Sequence, residues 1–402
     1  MTLRPVLLWF TLTLLSHAAA AGPHFESQVI DSNIGIGYGL AVGDVDGDGK
    51  PDILLADAKE IVWYQNPTWQ KHQLCESLTK RDHVCIAARD VDGDGKVEVA
   101  VGAQWNPGET SNAMESGAVF YLQRPAKGTG PWTAVALPHE PTVHRLHWVR
   151  DGSGKPHLIV LPLHGRGNQN GAGPAGVKIH AFAFPDQPAA AASWVPEVLS
   201  DELHVTHNFD YQANSRGERM VIGGKEGFLD ALPRPGGWDA AVQSLTDAPA
   251  TLPAFQGIGE IRFFQGLATG HDSMGLAAIE PFHGPHLAVY HKDTATRQWV
   301  RRVIDSSMNQ GHALACGDML GTGKPQIVAG WREPNAEGTF GIRIHWQDAP
   351  DQPWQRAWVA DGNTMACEDL KLTDLDMDGR LDIIASGRST KNVVIYWNRG
   401  TK

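Results

Sequence analysis

The chain has 402 residues, 42% of them hydrophobic, and a formal charge of −11. The acidic balance, with no block of Lys and Arg, argues against nucleic-acid binding. Four cysteines (Cys75, Cys85, Cys316 and Cys367) are too few for a disulfide framework, and pairing of Cys75 with Cys85 is left open.

The first residues read MTLRPVLLWFTLTLLSHAAAAG. Arg4 precedes an apolar stretch from Val6 to Leu15, and a run of Ala follows. This pattern predicts a secretory signal over residues 1–21, cut near Ala20 or Ala21. The stretch is too short for a membrane span, and no other segment comes close. No Cys sits at the cut, so no lipid anchor is expected. The mature chain, residues 22–402, is expected to be soluble and secreted or periplasmic.

From Phe25 onwards, short β-branched runs are separated by Gly, Asn, Asp and Pro, and they repeat. A Trp opens a short strand before each new unit: Trp69, Trp132, Trp194, Trp238, Trp299 and Trp354. FESQVI, from Phe25, is a seventh version. A second strand type begins YGLAVGD at Tyr38 and recurs at His83, His144, His204, Glu260, His312 and Glu368. Apolar runs such as ILLA, VEVAVGA, HLIVLPL and DIIAS follow it, and third strands such as IVWYQNP and VVIYWN come next. Four strands in each of seven units predict an all-β, seven-bladed propeller. The N-terminal strand is expected to complete the last blade and close the ring.

Between the first and second strands of three units lie acidic loops: DVDGDGKPD, DVDGDGKVE and DLDMDGRLD. Their carboxylates are Asp44, Asp46, Asp48 and Asp52; Asp90, Asp92, Asp94 and Glu98; and Asp374, Asp376, Asp378 and Asp382. Hard oxygens at positions 1, 3, 5 and 9 of a tight turn suit Ca²⁺, here in a structural role. The loops belong to blades 1, 2 and 7 and mark one face as the bottom. Blade 3 has a reduced DGSG and blade 6 a DMLGTG, and blade 5 has no acidic loop.

Strand direction then places chemistry on the opposite face. First-strand starts ring the top mouth of the central channel: Tyr38, His83, His144, His204, Glu260, His312 and Glu368. Second-strand ends add Gln104 and Trp105, His164 and Arg166, Lys225 and Glu226, Glu280 and His283, Trp331 and Arg332, and Arg388. Of these, His204, His312, His283, Tyr38 and Arg332 are the catalytic candidates. His83, His144, His164, Arg166, Glu260, Glu368, Trp105, Trp331 and Arg388 are the candidates for holding substrate. His147 and His207, one step inside their strands, are assigned to packing, and His271 to a bottom turn. His as base, Tyr or Glu as acid and Arg opposite an oxyanion suit proton abstraction beside a carbonyl. The outcome is β-elimination on a keto sugar or a uronic-acid polymer. Several His on one mouth also suit a divalent transition metal. A metal-dependent hydrolase and a non-enzymatic binding or adhesion propeller remain alternatives. No nucleotide loop, GxSxG elbow or HExxH helix is present. The expected partner is a carbohydrate or sugar-derived small molecule, and a protein partner is compatible with the fold.

The acidic repeats resemble the FG-GAP/VCBS type of calcium-loop propeller over the whole mature chain. The top loops LPLHGRGN (161–168), LHVTHNFD (203–210), AAIEPFHG (277–284), QGHALACGD (310–318) and AGWRE (329–333) resemble the propeller domain of the aldos-2-ulose dehydratase family. That resemblance implies removal of water from oxidised sugars such as 1,5-anhydrofructose or glucosone. It also implies His204, His283, His312 and Arg332 as pocket residues. The family enzyme carries cupin domains after its propeller. With the last blade ending at Lys402, their isomerase activity is not expected here.

Overall fold

A computed structural model describes residues 22–126, 130–169, 173–245, 254–264, 275–293, 295–349 and 352–401. The proposed signal segment and His271 lie outside them. The described residues form seven four-stranded antiparallel sheets, six of them running outwards from the channel in sequence order. The innermost strands are Gly39–Gly43, Cys85–Arg89, Val143–Arg150, Thr206–Asn214, Glu260–Phe263, Gly311–Gly317 and Cys367–Thr373. The seventh sheet is completed from the other end of the chain: Pro23–Asp31 pairs antiparallel with Asn392–Thr401. The predicted architecture and ring closure are therefore present.

Second strands read as continuous apolar runs because both of their faces pack against neighbouring blades. Asp52–Ala56, Glu98–Ala103, Gln326–Trp331 and Asp382–Gly387 are buried at every position. The outer-strand Trp residues fill the space between blades. Trp194 is 2% exposed and Trp132 and Trp238 are 7% exposed. Arg124 lies over the Trp132 ring at 4.4 Å, and Trp238 Nε1 donates to the Glu218 carbonyl at 2.7 Å. Truncating one such indole to Ala costs roughly 3–5 kcal/mol.

Blade 4 departs from the expected spacing. Its inner strand does not stop at Asp210 but runs on to Asn214, and the turn is closed by Arg216 N donating to Asn214 Oδ1 at 2.7 Å.

The inner strands also divide into two kinds. Those of blades 3, 4, 6 and 7 carry a β-bulge near the top. In each, the register slips around one residue or pair: His144, His207 with Asn208, His312 and Glu368. The inner ladders of blades 1, 2 and 5 run without a slip. A bulge bends the strand and re-aims the extra side chain.

Candidate metal and active site

The bulges gather imidazoles at the top of the channel. His207, His283 and His312 place a ring nitrogen each within 4.8 Å of one another. Nε2 of His283 lies 2.7 Å from Nε2 of His207. The His283 and His312 ring centres are 4.8 Å apart, and His144 adds a fourth ring 4.6 Å from His207. His207 and His312 come from bulges. His283 comes from the turn after the second strand of blade 5, folded back over the mouth. Gly259 permits that fold, because a Cβ there would sit 2.1 Å from the Phe282 carbonyl oxygen.

One of the three rings is fixed from behind by a hydrogen bond, and a second faces a carboxylate. His207 Nδ1 lies 3.1 Å from Glu260 Oε1. His312 Nδ1 is 2.5 Å from the Glu368 carbonyl oxygen. The Glu368 carbonyl accepts, so His312 carries its proton on Nδ1 and turns its Nε2 lone pair into the cluster, whereas His207 Nδ1 and Glu260 Oε1 make no hydrogen bond despite their ion-pair distance. This backing orients metal-binding His and raises its basicity. Burial pushes the pKa of His207 down and those of His144 and His312 well down, and it takes His283 down to about 2. Neighbouring positive charge, notably Arg145 and Arg332, acts in the same direction on His144, His283 and His312. All four rings are thus neutral. Burial alone raises the Glu260 carboxyl, but Arg262 and His207 overcome it and hold it at about 2.

Neutral, convergent imidazoles are the donor set of a divalent transition metal. Zn–N bonds of about 2.0–2.1 Å place tetrahedral ligand nitrogens roughly 3.3 Å apart. The His207–His283 pair needs to open by only a fraction of an ångström to meet that spacing.

The rim is cationic. Glu368 is 2% exposed; its Oε2 accepts from Arg332 Nη1 at 2.7 Å and its Oε1 from Arg388 Nη1 at 2.9 Å. Arg388 lies 5.7 Å over the Tyr38 ring, and Tyr38 donates its hydroxyl to Asp82 at 3.1 Å. Burial, and then the Asp82 charge, raise the Tyr38 hydroxyl to about 12. Trp105 stacks on His144 with ring centres 4.8 Å apart, and His144 Nε2 is buried without a partner.

Several predicted site residues lie elsewhere. His83 is fully buried between blades 1 and 2, with Nδ1 3.2 Å from the Asp57 carbonyl and Nε2 accepting from Leu78 N. Trp331 is also fully buried; its Nε1 donates to the Thr339 carbonyl and its ring packs on Trp358 and Arg343. Both are packing residues. His204 is at the rim, paired with Glu226 at 2.9 Å, and the central place assigned to it belongs to His207. Arg166 is tied to Glu140 and to the Ser111 carbonyl, and His164 bridges to Val205. Glu260 backs a ring rather than facing the mouth. The missed residue is His207. Its signal was the turn sequence NSRG (214–217): counted from that turn, the blade 4 strand slides along and His207 falls opposite His144 and His312.

On the bottom face the acidic loops close as tight turns. Asp44 accepts from Gly47 N and Gly49 N, both of which have positive φ, Asp90 accepts likewise from Gly93 N and Gly95 N, and Asp374 accepts from Asp378 N and Gly379 N. Oxygens of Asp44, Asp46 and Asp48 lie within 4.8 Å of one another, as do those of Asp90, Asp92 and Asp94 and those of Asp374, Asp376 and Asp382. Asp378 instead binds Arg380. The ninth-position carboxylates are buried under the turns: Asp52 accepts from Val45 N and Asn66 N, and Glu98 from Val91 N. Burial, reinforced by the other loop carboxylates, raises Asp52 and Glu98 to about 7 and Asp382 to about 6. A bound cation would relieve that cost. In blade 3, His157 Nε2 stands 3.3 Å from Asp151 Oδ2, where the reduced loop lacks further carboxylates.

The channel below the imidazoles narrows to a cavity of 20 Å³ beside Arg145, Asn208 and Asp369. It then widens to 550 Å³ towards the acidic face. The larger space is lined partly by His147, Asp210, Arg262 and Lys371, and the cluster lies outside it.

Comparison with known proteins gives the repeat type and a similar propeller domain. Residues 44–101 match the FG-GAP-like repeat, and residues 116–293 match the β-propeller domain of aldos-2-ulose dehydratase. The aldos-2-ulose dehydratase of Phanerodontia chrysosporium is 23% identical over 318 residues, covering 73% of this chain. The match spans 33% of that enzyme's length. Among solved structures, a chain of the mitotic checkpoint complex has a TM-score of 0.56 at 13% identity, covering 99% of this chain and 100% of its own. A chain of the BBS1N–ARL6DN complex has a TM-score of 0.54 at 11% identity, covering 96% and 100%. At these identities they speak for the fold alone. No helix among the described residues is long and apolar enough to cross a membrane. The chain is a seven-bladed propeller with an FG-GAP-like repeat, similar in sequence to the propeller domain of aldos-2-ulose dehydratase.

Proposed function

We propose that this protein is a carbon–oxygen lyase that performs β-elimination on a keto sugar or sugar derivative at the top mouth. In this proposal His207, His283 and His312 hold a divalent transition metal. The observation that carries it is the meeting of three neutral imidazoles, one of them fixed from behind by the Glu368 carbonyl and another facing the Glu260 carboxylate at 3.1 Å. A metal there supplies a Lewis acid that polarises a carbonyl and acidifies the neighbouring C–H. His144, neutral and with Nε2 unpartnered, is placed to move the proton. Arg332 and Arg388 orient the oxygen-rich substrate, and Trp105 shields His144 from water. The acidic loops of blades 1, 2 and 7 carry structural Ca²⁺ in this proposal. The leader-like residues 1–21 support export. The sequence similarity to a sugar dehydratase supports the substrate class.

The test is direct. The purified chain, loaded with zinc, is incubated with keto sugars and with uronate oligomers, and ultraviolet absorbance of an unsaturated product is followed. Product from either class, abolished by a chelator and restored by zinc, supports the proposal. No product from either class, with metal supplied, overturns it.

A further inference from the structure

The charges around the mouth do not cancel. Glu368 is one carboxylate between two guanidiniums, Arg332 and Arg388, so that group carries one net positive charge. Arg145 is buried at 9% exposure and donates to the His144 carbonyl at 2.9 Å; its other bond is a 3.5 Å contact with the His144 ring. No carboxylate lies within ion-pair distance of Arg145 among the described residues. Glu260 is already matched by Arg262 at 2.9 Å. The imidazoles, being neutral, offset nothing. Asp210, which also faces Arg262, takes back one charge, and Lys371 pairs with Asp369, so one positive charge remains beside the cluster, and a divalent ion would add two more. Like charges held out of water are costly unless an anion joins them.

Geometry shows where the anion fits. Arg388 is 36% exposed at its side chain and uses only Nη1 on Glu368. Its remaining N–H edge is a fork matched to a second carboxylate. The Tyr38 ring beneath holds the plane of that fork. Arg332, by contrast, is tied at both ends, to Glu368 and to Gln310 Oε1 at 3.2 Å.

We infer that the substrate is a sugar acid of the hexuronate type, whose carboxylate is seated on Arg388 beside Arg332 with its neighbouring carbon towards the imidazole cluster. The inference rests on the lyase function proposed above and narrows it. The step balances without an added oxidant or reductant. The C–H bond next to the carboxylate breaks and its proton passes to His144. The electron pair forms a C=C bond to the next ring carbon. The C–O bond on that carbon breaks, and the oxygen leaves as alcohol or water with the proton that His144 removed, which returns His144 to its neutral state.

The experiment compares galacturonate oligomers with neutral 1,5-anhydrofructose on the zinc-loaded full chain, following unsaturated product. The expected result is a kcat/KM at least about tenfold higher for the uronate, with Arg388→Gln reducing that preference about tenfold or more. Wild-type protein alone decides the first half, so a variant that folds poorly does not obscure it. Equal or better turnover of the neutral sugar overturns the inference and leaves the lyase proposal standing. If neither sugar reacts, both fall.

Discussion

Blades 1 and 2 and blades 3, 4 and 6 are built from one repeat but spend it differently. The first pair keeps intact acidic loops below and regular inner strands above. His83, at the top of blade 2, faces inward and ties that blade to blade 1. The second group has lost the intact loops or never shows them, and each inner strand carries a bulge presenting an imidazole to the channel. Blade 7 does both, with an acidic loop below and Glu368 in a bulge above. The lesson is that a propeller gains a site by disturbing its ladder. One inserted residue turns a side chain that would pack into one that faces the axis.

Breaking this contrast should give graded results. The largest effect is expected from His207→Ala: loss of bound transition metal by elemental analysis, and activity at background. Retention of stoichiometric metal would refute the proposed ligand set. His144→Phe should keep the metal and the ring packing but lower turnover by about 10²–10⁴, the usual worth of a proton-transfer group. Next, Glu260→Gln should weaken metal affinity about 10–100-fold, since it removes the charge behind His207. His83→Ala, on the other side of the comparison, should leave metal content intact and lower only the thermal midpoint.

A smaller effect tests the structural half by pH. Asp57 accepts from Gly35, Ile36 and Gly37 backbone N–H groups. Although burial alone would raise its carboxyl, these bonds lower it below the usual carboxylate range. Its stabilisation is therefore present above the unfolded value near 4 and is lost as pH falls through the lower folded value. Asp57→Ala should cost roughly 2–3 kcal/mol at neutral pH and flatten the acid limb of the stability curve. An unchanged acid limb would refute this role. Chelating calcium at neutral pH should lower the thermal midpoint by several degrees without changing the bulged strands' spectroscopic signature. No shift on chelation would count against bound Ca²⁺ in the loops.

The sequence made the blades legible because their signals are local. Trp before each outer strand, continuous apolar second strands and the three acidic turns all lie within short windows. The site was legible in part. His283, His312, Arg332 and the cationic rim follow from strand direction alone. His207 did not, because Asp210 mimics the start of an acidic loop and draws the alignment of blade 4 to the wrong turn. A bulge leaves no residue signature of its own. It shows as a mismatch in count between paired strands, which is visible only once both turns of the hairpin are fixed. Trp331 and His83 misled for the opposite reason: a polar or aromatic group at a strand end is equally suited to the gap between blades.

The pairing of Pro23–Asp31 with Asn392–Thr401 carries a consequence for timing. The strand synthesised earliest has no sheet to join until the last one emerges. Blade 7 holds Glu368 and Arg388, and Glu368 supplies the carbonyl that orients His312. The mouth thus remains unassembled in any nascent chain. Whatever the mouth binds, it can bind only once the circle is complete.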